Sequence, residues 1–325
     1  MFRMRLKLVK SETKYNFFRN WKLWLGISST LIFISFISLI FQGLNFGIDF
    51  RGGTTIRTES ELKVDVSKYR EVLNPLNLGD IVISEVFDPT FRENQYVTQI
   101  RIETQEGDES ITALAVESVA LALRNIDPNI KFPLVESVGP KVSSELVKAA
   151  TLAVILAISA VLVYIWLRFE WQFALGAVFA LIHDIVLTMG IFSQIQIKFD
   201  LAIIAALLTI VGYSLNDTVV VFDRVRENLR KYKKKTLSDI LNLSINETLA
   251  RTIMTSVTTQ LALISLFVLG GDVIKGFVFA MIWGVLVGTY SSVFIAGTVL
   301  LYLGVKRDWS KSARNTGNKY GNIDA

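Results

Sequence analysis

The 325-residue chain has no cysteine, one histidine and five prolines. The missing cysteines exclude disulfides, thiolate metal sites and cysteine nucleophiles. Neither HExxH, Walker A, GxSxG nor GxGxxG occurs, so no enzyme activity, metal or cofactor is expected. Charge is scarce as well: Asp, Glu, Lys and Arg make up 19% of the residues, against about 25% in an ordinary soluble domain. With 51% hydrophobic residues, that shortage argues against a soluble enzyme. The formal net charge of +5 lies largely beside apolar runs, where membrane orientation explains it better than a nucleic-acid partner.

What the sequence does contain is long uncharged segments. Leu23 to Phe41 is 19 residues without a charge, close to the ~20 that a helix needs to cross a ~30 Å hydrocarbon layer. It is too long, and lacks the small-residue site, for a cleaved signal peptide. Five further spans are expected at Ala149–Leu167, Trp171–Phe192, Leu201–Phe222, Thr252–Gly271 and Gly276–Val305, with the last membrane helix ending near Leu303. The reading is therefore a helical membrane protein of six spans, with segments 1–22, 23–42, 43–147, 148–303 and 304–325. Residues 1–22 hold seven Lys/Arg, 223–251 hold eight and the tail after Leu303 holds five, whereas the short links on the other side hold one Lys each. Both termini are expected in the cytoplasm and residues 43–147 on the far side of the membrane.

That segment is acidic, with nine basic against sixteen acidic residues between Gly43 and Pro140. Its periodicity predicts a strand at Gly53–Glu59, a helix at Ser67–Leu76, strands at Asp80–Phe87 and Tyr96–Glu103, a helix at Ser110–Asn125 and a strand at Lys131–Val138. The order β-α-β-β-α-β is that of a small ferredoxin-like α+β domain. Pro133, Gly139 and Pro140 interrupt the periodicity, and Lys141–Lys148 could form a semi-rigid hinge into the second span.

Ionisable residues within spans are costly and therefore point to function. Asp217 lies near one end of the fourth span, and Arg251, opening the fifth at the same side, is its expected counter-charge. Such a pair can couple proton binding to helix movement, or it can be a static ion pair. Asp184, beside His183 in the third span, is either a bundle contact or part of the same path. Asn216 adjoins Asp217 but projects elsewhere. Thr255, with Ser256, Thr258 and Thr259, places hydroxyls on the fifth span. Gly284 and Gly288 form a GxxxG pattern that allows close helix approach. The 223–251 link reads as an interfacial amphipathic helix pair whose lysines suit membrane lipids rather than nucleic acid.

Three motifs carry a resemblance. GIDFRGG at Gly47–Gly53 contains Asp49, Gly52 and Gly53; VGYSLNDTVVVFDRVREN at Val211–Asn228 contains Asp217, Asp223 and Arg224; and NETLARTIMTSVTTQLAL spans Asn246–Leu263. Together with the six-span layout they resemble the SecF family, within the resistance-nodulation-division superfamily. Arg51 stands where that family often has Thr. The resemblance implies an auxiliary subunit that uses proton-motive force to promote late steps of protein export. It also implies SecD, the SecYEG channel, YajC and the secretory polypeptide as partners, with Asp217 and Arg251 as the family's membrane acid and base. A lipid or small-molecule exporter of the same superfamily and a purely structural subunit are the alternatives.

Overall fold

A computed structural model describes residues 13–79, 81–86, 88, 91–102 and 113–305. After the first span, α1 (Trp21–Phe41), the chain makes a one-turn helix, α2 (Ile48–Arg51), and enters the α+β domain. The domain runs β1 (Gly53–Ser60), α3 (Val66–Leu73), a 3-10 turn (Asn74–Leu76), β2 (Ile81–Val86), β3 (Tyr96–Ile102), α4 (Ala113–Arg124) and β4 (Lys131–Val138). The strands lie in the order β2-β3-β1-β4, every adjacent pair antiparallel. That is the split β-α-β arrangement of a ferredoxin-like sheet. The expected strand ends Asp80, Phe87 and Glu103 and the helix start at Ser110 lie outside the described residues.

The period-two pattern explains the two faces of the sheet. Ile83, Ile100, Ile56 and Val135 stand opposite one another across the four strands. Ile56 and Ile100 are fully buried there with Tyr69 and Leu73 of α3 and Val119 and Leu123 of α4. Asp65 starts α3 by accepting from the backbone N–H groups of Ser67 (3.0 Å) and Lys68 (3.4 Å). The other face carries a polar row, Ser84, Gln99 and Arg57. This row forms one wall of a cleft of about 670 Å³, whose opposite wall includes Lys198, Asp200 and Lys275 at the ends of the membrane helices. Pro133 is tolerated because β4 is an edge strand and its register shifts there, between the partners of Arg57 and Glu59.

The remaining spans are α5 (Pro140–Arg168), α6 (Trp171–Ile195), α7 (Leu201–Lys231), α8 (Leu237–Leu269) and α9 (Asp272–Leu303). With α1 they make, among the described residues, six helices long and apolar enough to cross a membrane. Pro140 begins α5 rather than breaking it, because a first-turn proline forfeits no helical hydrogen bond. The chain from Pro140 to Lys148 is thus helical and continuous with the second span. The expected interfacial pair is different: α7 runs past Phe222 to Lys231, and α8 starts at Leu237, capped by the Thr236 hydroxyl accepting from the Asp239 N–H at 3.2 Å. The turn before α9 is Gly270–Gly271, with Asp272–Lys275 already helical. α6 and α9 are the most buried spans, and α5 and α8 the least.

Candidate functional site

Three polar assemblies sit at different depths of the bundle. The first joins it to the α+β domain. Gly52 (φ 77°) and Gly53 (φ 122°) take backbone conformations that side chains resist, turning the chain sharply from α2 into β1. Asp49 Oδ2 accepts from the Leu201 N–H at 3.1 Å, so α2 is tied to the start of α7. Backbone bonds from Gly47 N–H to Phe199 C=O and from Phe199 N–H to Asn45 C=O, both 2.8 Å, add a short bridge. Asp200 caps α7, accepting from the Ile203 N–H at 3.3 Å. Burial pushes the Asp200 carboxyl above its ordinary range, and Lys198 at 3.9 Å opposes that shift only in part. Arg51 projects outward from this corner and is exposed.

The second assembly lies in the middle of the spans. Asp184, 1% exposed, and His183, 3% exposed, meet through Oδ1 and Nδ1 at 3.0 Å. The other carboxylate oxygen accepts from Ser214 of α7 at 2.7 Å and Ser291 of α9 at 2.8 Å. The His183 ring stacks on Tyr290, whose hydroxyl donates to the Trp24 C=O of α1 at 3.0 Å. A phenol has one proton to give, so Ser28 of α1, 2.9 Å away, donates to it. Next along α9, Thr289 meets Ser256 of α8 at 2.7 Å. Three consecutive α9 residues, about 100° apart around the helix, therefore hold α8, α1 and α6. Asp184 is a junction of three helices.

Close packing makes this geometry possible. A Cβ at Gly288 would stand 3.1 Å from Ser214 Cβ, and one at Gly284 would strike Ile210, so the GxxxG face of α9 lies directly on α7.

Asp217, 3% exposed, is one helical turn from Ser214 on the same buried face of α7. Its Oδ2 is buried with no hydrogen-bond partner. Arg251 is close enough to act on it electrostatically, yet none of the ion pairs among the described residues joins the two. The expected pair is thus brought onto adjacent helices without direct contact. Arg251 is exposed, as are Asn216, Gly212, Thr209 and Ala205 along one stripe of α7. No atom lies within 4 Å of where a Gly212 Cβ would be. Thr255 does not extend this polar surface by reaching across helices, because its hydroxyl bonds back to Arg251 C=O (3.2 Å) and Thr252 C=O (2.9 Å).

The third assembly is at the end of the bundle opposite the sheet. Arg224 bonds Glu247 of α8 and Glu227 of its own helix, both at 2.6 Å, and Asn228 reaches the same Glu247 at 2.6 Å. These bonds hold α7 and α8 as a hairpin. Asp223 instead faces Arg168 at 3.4 Å. No group of three or more His, Asp or Glu suited to a metal occurs among the described residues.

Sequence reasoning missed Ser28, Ser214, Tyr290 and Ser291. Their signal is weak, since a hydroxyl in an apolar run ordinarily bonds its own backbone, as Thr255 does.

A six-span bundle with a buried acid at its centre and a ferredoxin-like domain hung on a double-glycine corner defines a multi-pass membrane protein with one extramembranous domain. Residues 118–306 match the family described as protein export membrane protein SecD/SecF, C-terminal, and residues 37–61 match the SecD/SecF GG motif. The protein translocase subunit SecF of Cereibacter sphaeroides is 57% identical over 321 residues, 99% of each chain. That of Rickettsia bellii is 40% identical over 303 residues, 93% of this chain and 97% of the other. The chain belongs to the SecF family. The crystal structure of SecDF from a Thermus, a translocon-associated membrane protein, superposes with a TM-score of 0.78 at 30% identity over 91% of this chain. A super-membrane-facing form of SecDF gives 0.66 at 31% identity over 90% of this chain. This chain spans 39% of each of those longer polypeptides.

Proposed function

We propose that this protein is an auxiliary subunit of the Sec translocase which, together with SecD, uses proton-motive force to promote late steps of protein export across the bacterial inner membrane. The observation that carries the reading is Asp217: a buried carboxyl with an unpartnered oxygen, beside a face of α7 and α8 that exposes Gly212, Asn216 and Arg251. Such a face is costly against lipid tails and calls for a second helical bundle. The relation of this chain to 39% of SecDF supports a SecD half as that bundle. Contact with SecYEG and YajC belongs to the same proposal, as do cytoplasmic termini and a periplasmic 43–147 segment.

When Asp217 is ionised, Arg251 attracts it across the gap between α7 and α8; when it is protonated, the attraction lapses and the helices are free to part. Ser214, one turn away, transmits that movement to Asp184 and so to α6 and α9. The Asp49–Leu201 bond then carries displacement of α7 to the corner that holds the α+β domain. One charge crossing 100 mV supplies about 2.3 kcal/mol, comparable to the few hydrogen bonds such a step rearranges.

The test is precursor export in energised inverted membrane vesicles containing the partner complex, comparing wild type with Asp217→Asn at matched assembly, with and without an uncoupler. Loss of the uncoupler-sensitive stimulation in the variant is expected. Equal export under all conditions would make Asp217 structural and sink the proton-driven mechanism.

A further inference from the structure

The turn between α5 and α6 and the extension of α7 enclose a pocket of about 300 Å³ lined by Arg168, Asp223, Arg226, Glu227 and Arg230. Three guanidinium groups thus converge at one spot. The buried Phe169 ring fixes two of them, with Arg168 Cζ 5.1 Å and Arg226 Cζ 5.7 Å from its centroid. Arg226 Nη1 also donates to the Arg168 C=O at 3.2 Å. The charges of Arg168 and Arg230 both repel that of Arg226, with Glu170 and Asp223 opposing them.

The carboxylates neutralise the cluster only in part. Glu227 is held by Arg224 at 2.6 Å, Asp223 contacts Arg168 at 3.4 Å, and no carboxylate among the described residues lies within 4.0 Å of Arg230. Like-charged, preorganised guanidiniums with spare donors suit a bidentate oxyanion.

Depth selects the anion. Arg168 follows directly on the uncharged run 149–167, and Trp166 (61% exposed) and Trp171 (52% exposed) flank the turn. Indole rings exposed at helix ends sit at the headgroup level of a bilayer. Leu167, 80% exposed, offers apolar surface on the span side of the pocket.

We propose that Arg168, Arg226 and Arg230 form a discrete site for the headgroup phosphate of an anionic phospholipid, separate from any diffuse attraction of lipid by Lys233, Lys234 and Lys235. This assignment does not depend on proton coupling at Asp217.

The test reconstitutes the full chain in vesicles of phosphatidylcholine and phosphatidylglycerol, extracts it gently and counts retained lipids by native mass spectrometry. Wild type is expected to retain phosphatidylglycerol in preference to phosphatidylcholine. Each arginine neutralised, in Arg230→Gln and then Arg168→Gln/Arg230→Gln, is expected to weaken retention about fivefold. Lys233→Gln/Lys234→Gln/Lys235→Gln is expected to retain it, and Arg230→Lys to restore part of it. Exposed Arg230 allows its variants to fold, which circular dichroism checks. Undiminished retention in the double arginine variant, or equal loss in the lysine variant, overturns the discrete site. Inorganic phosphate binding the delipidated protein as tightly as phosphatidylglycerol does would assign the site to a free anion and overturn the lipid.

Discussion

Gly284→Ala tests whether the α7–α9 contact is set by the absence of a side chain. The new Cβ would fall against Cδ1, Cγ1 and Cγ2 of Ile210, which is 1% exposed. Ile is branched at Cβ and has one strongly preferred χ1 in a helix, so Cγ2 cannot swing aside. Overpacking of this kind costs about 1–3 kcal/mol. Replacing glycine by alanine within a helix also returns up to about 1 kcal/mol of propensity, which would mask part of the loss. Gly212→Ala on α7 cancels that contribution, because nothing lies within 4 Å of its Cβ. The difference between the two variants therefore reads the clash itself, about 1–3 kcal/mol with Gly284→Ala the less stable. Reversible unfolding by dodecyl sulfate in mixed micelles, followed by circular dichroism, measures it. Ile210→Ala opens the space, and in that background Gly284→Ala should lose most of its cost, a coupling on the order of 1 kcal/mol or more. If Gly284→Ala is as stable as Gly212→Ala, the helices do not approach at this point and the packing argument fails.

Two further outcomes follow from a buried and a half-buried carboxylate. Ser214→Ala and Ser291→Ala should each cost about 0.6–1.7 kcal/mol in the same unfolding assay, while Asp184→Ala should cost more than either, because it takes the partner from both the Ser214 hydroxyl and His183, Ser291 keeping the Gly288 C=O at 3.2 Å; an Asp184→Ala loss smaller than either serine loss would remove Asp184 from the junction. Asp200 carries a pKa raised by burial from 3.8, so its protonated form is favoured in the folded state. Its contribution to stability is full below 3.8 and declines as pH rises through the raised folded value. Asp200→Asn keeps the oxygen that caps Ile203 and should abolish that decline, leaving the variant at least as stable as wild type at neutral pH in thermal unfolding against pH. A neutral-pH loss of about 1 kcal/mol, the size of a missing cap, would show the ionised carboxylate to be needed.

The sequence by itself determined the spans and the α+β domain, because both are written in local periodicity. An uncharged run long enough to cross a bilayer has few other solutions, and alternation at Ile81–Val86 or Tyr96–Ile102 decides which residues face a core. It also marked Asp217, Asp184 and Arg251, since a charge in an apolar run is visible without any neighbour. Local cues failed at Lys148 and Phe222, where the change from charged to apolar composition resembled a helix boundary but one continuous helix runs through each. Tertiary structure alone decided the partners. Ser291 reaches Asp184 from 107 residues away and Ser28 meets Tyr290 across 262, and no periodicity relates such positions. It also separated Asp217 from Arg251. Sequence places two charges at the same depth on consecutive antiparallel helices, but the rotation of each helix about its axis decides contact, and that rotation is fixed by packing against α9, above all where Gly284 and Gly288 let it settle on Ile210 and Ser214.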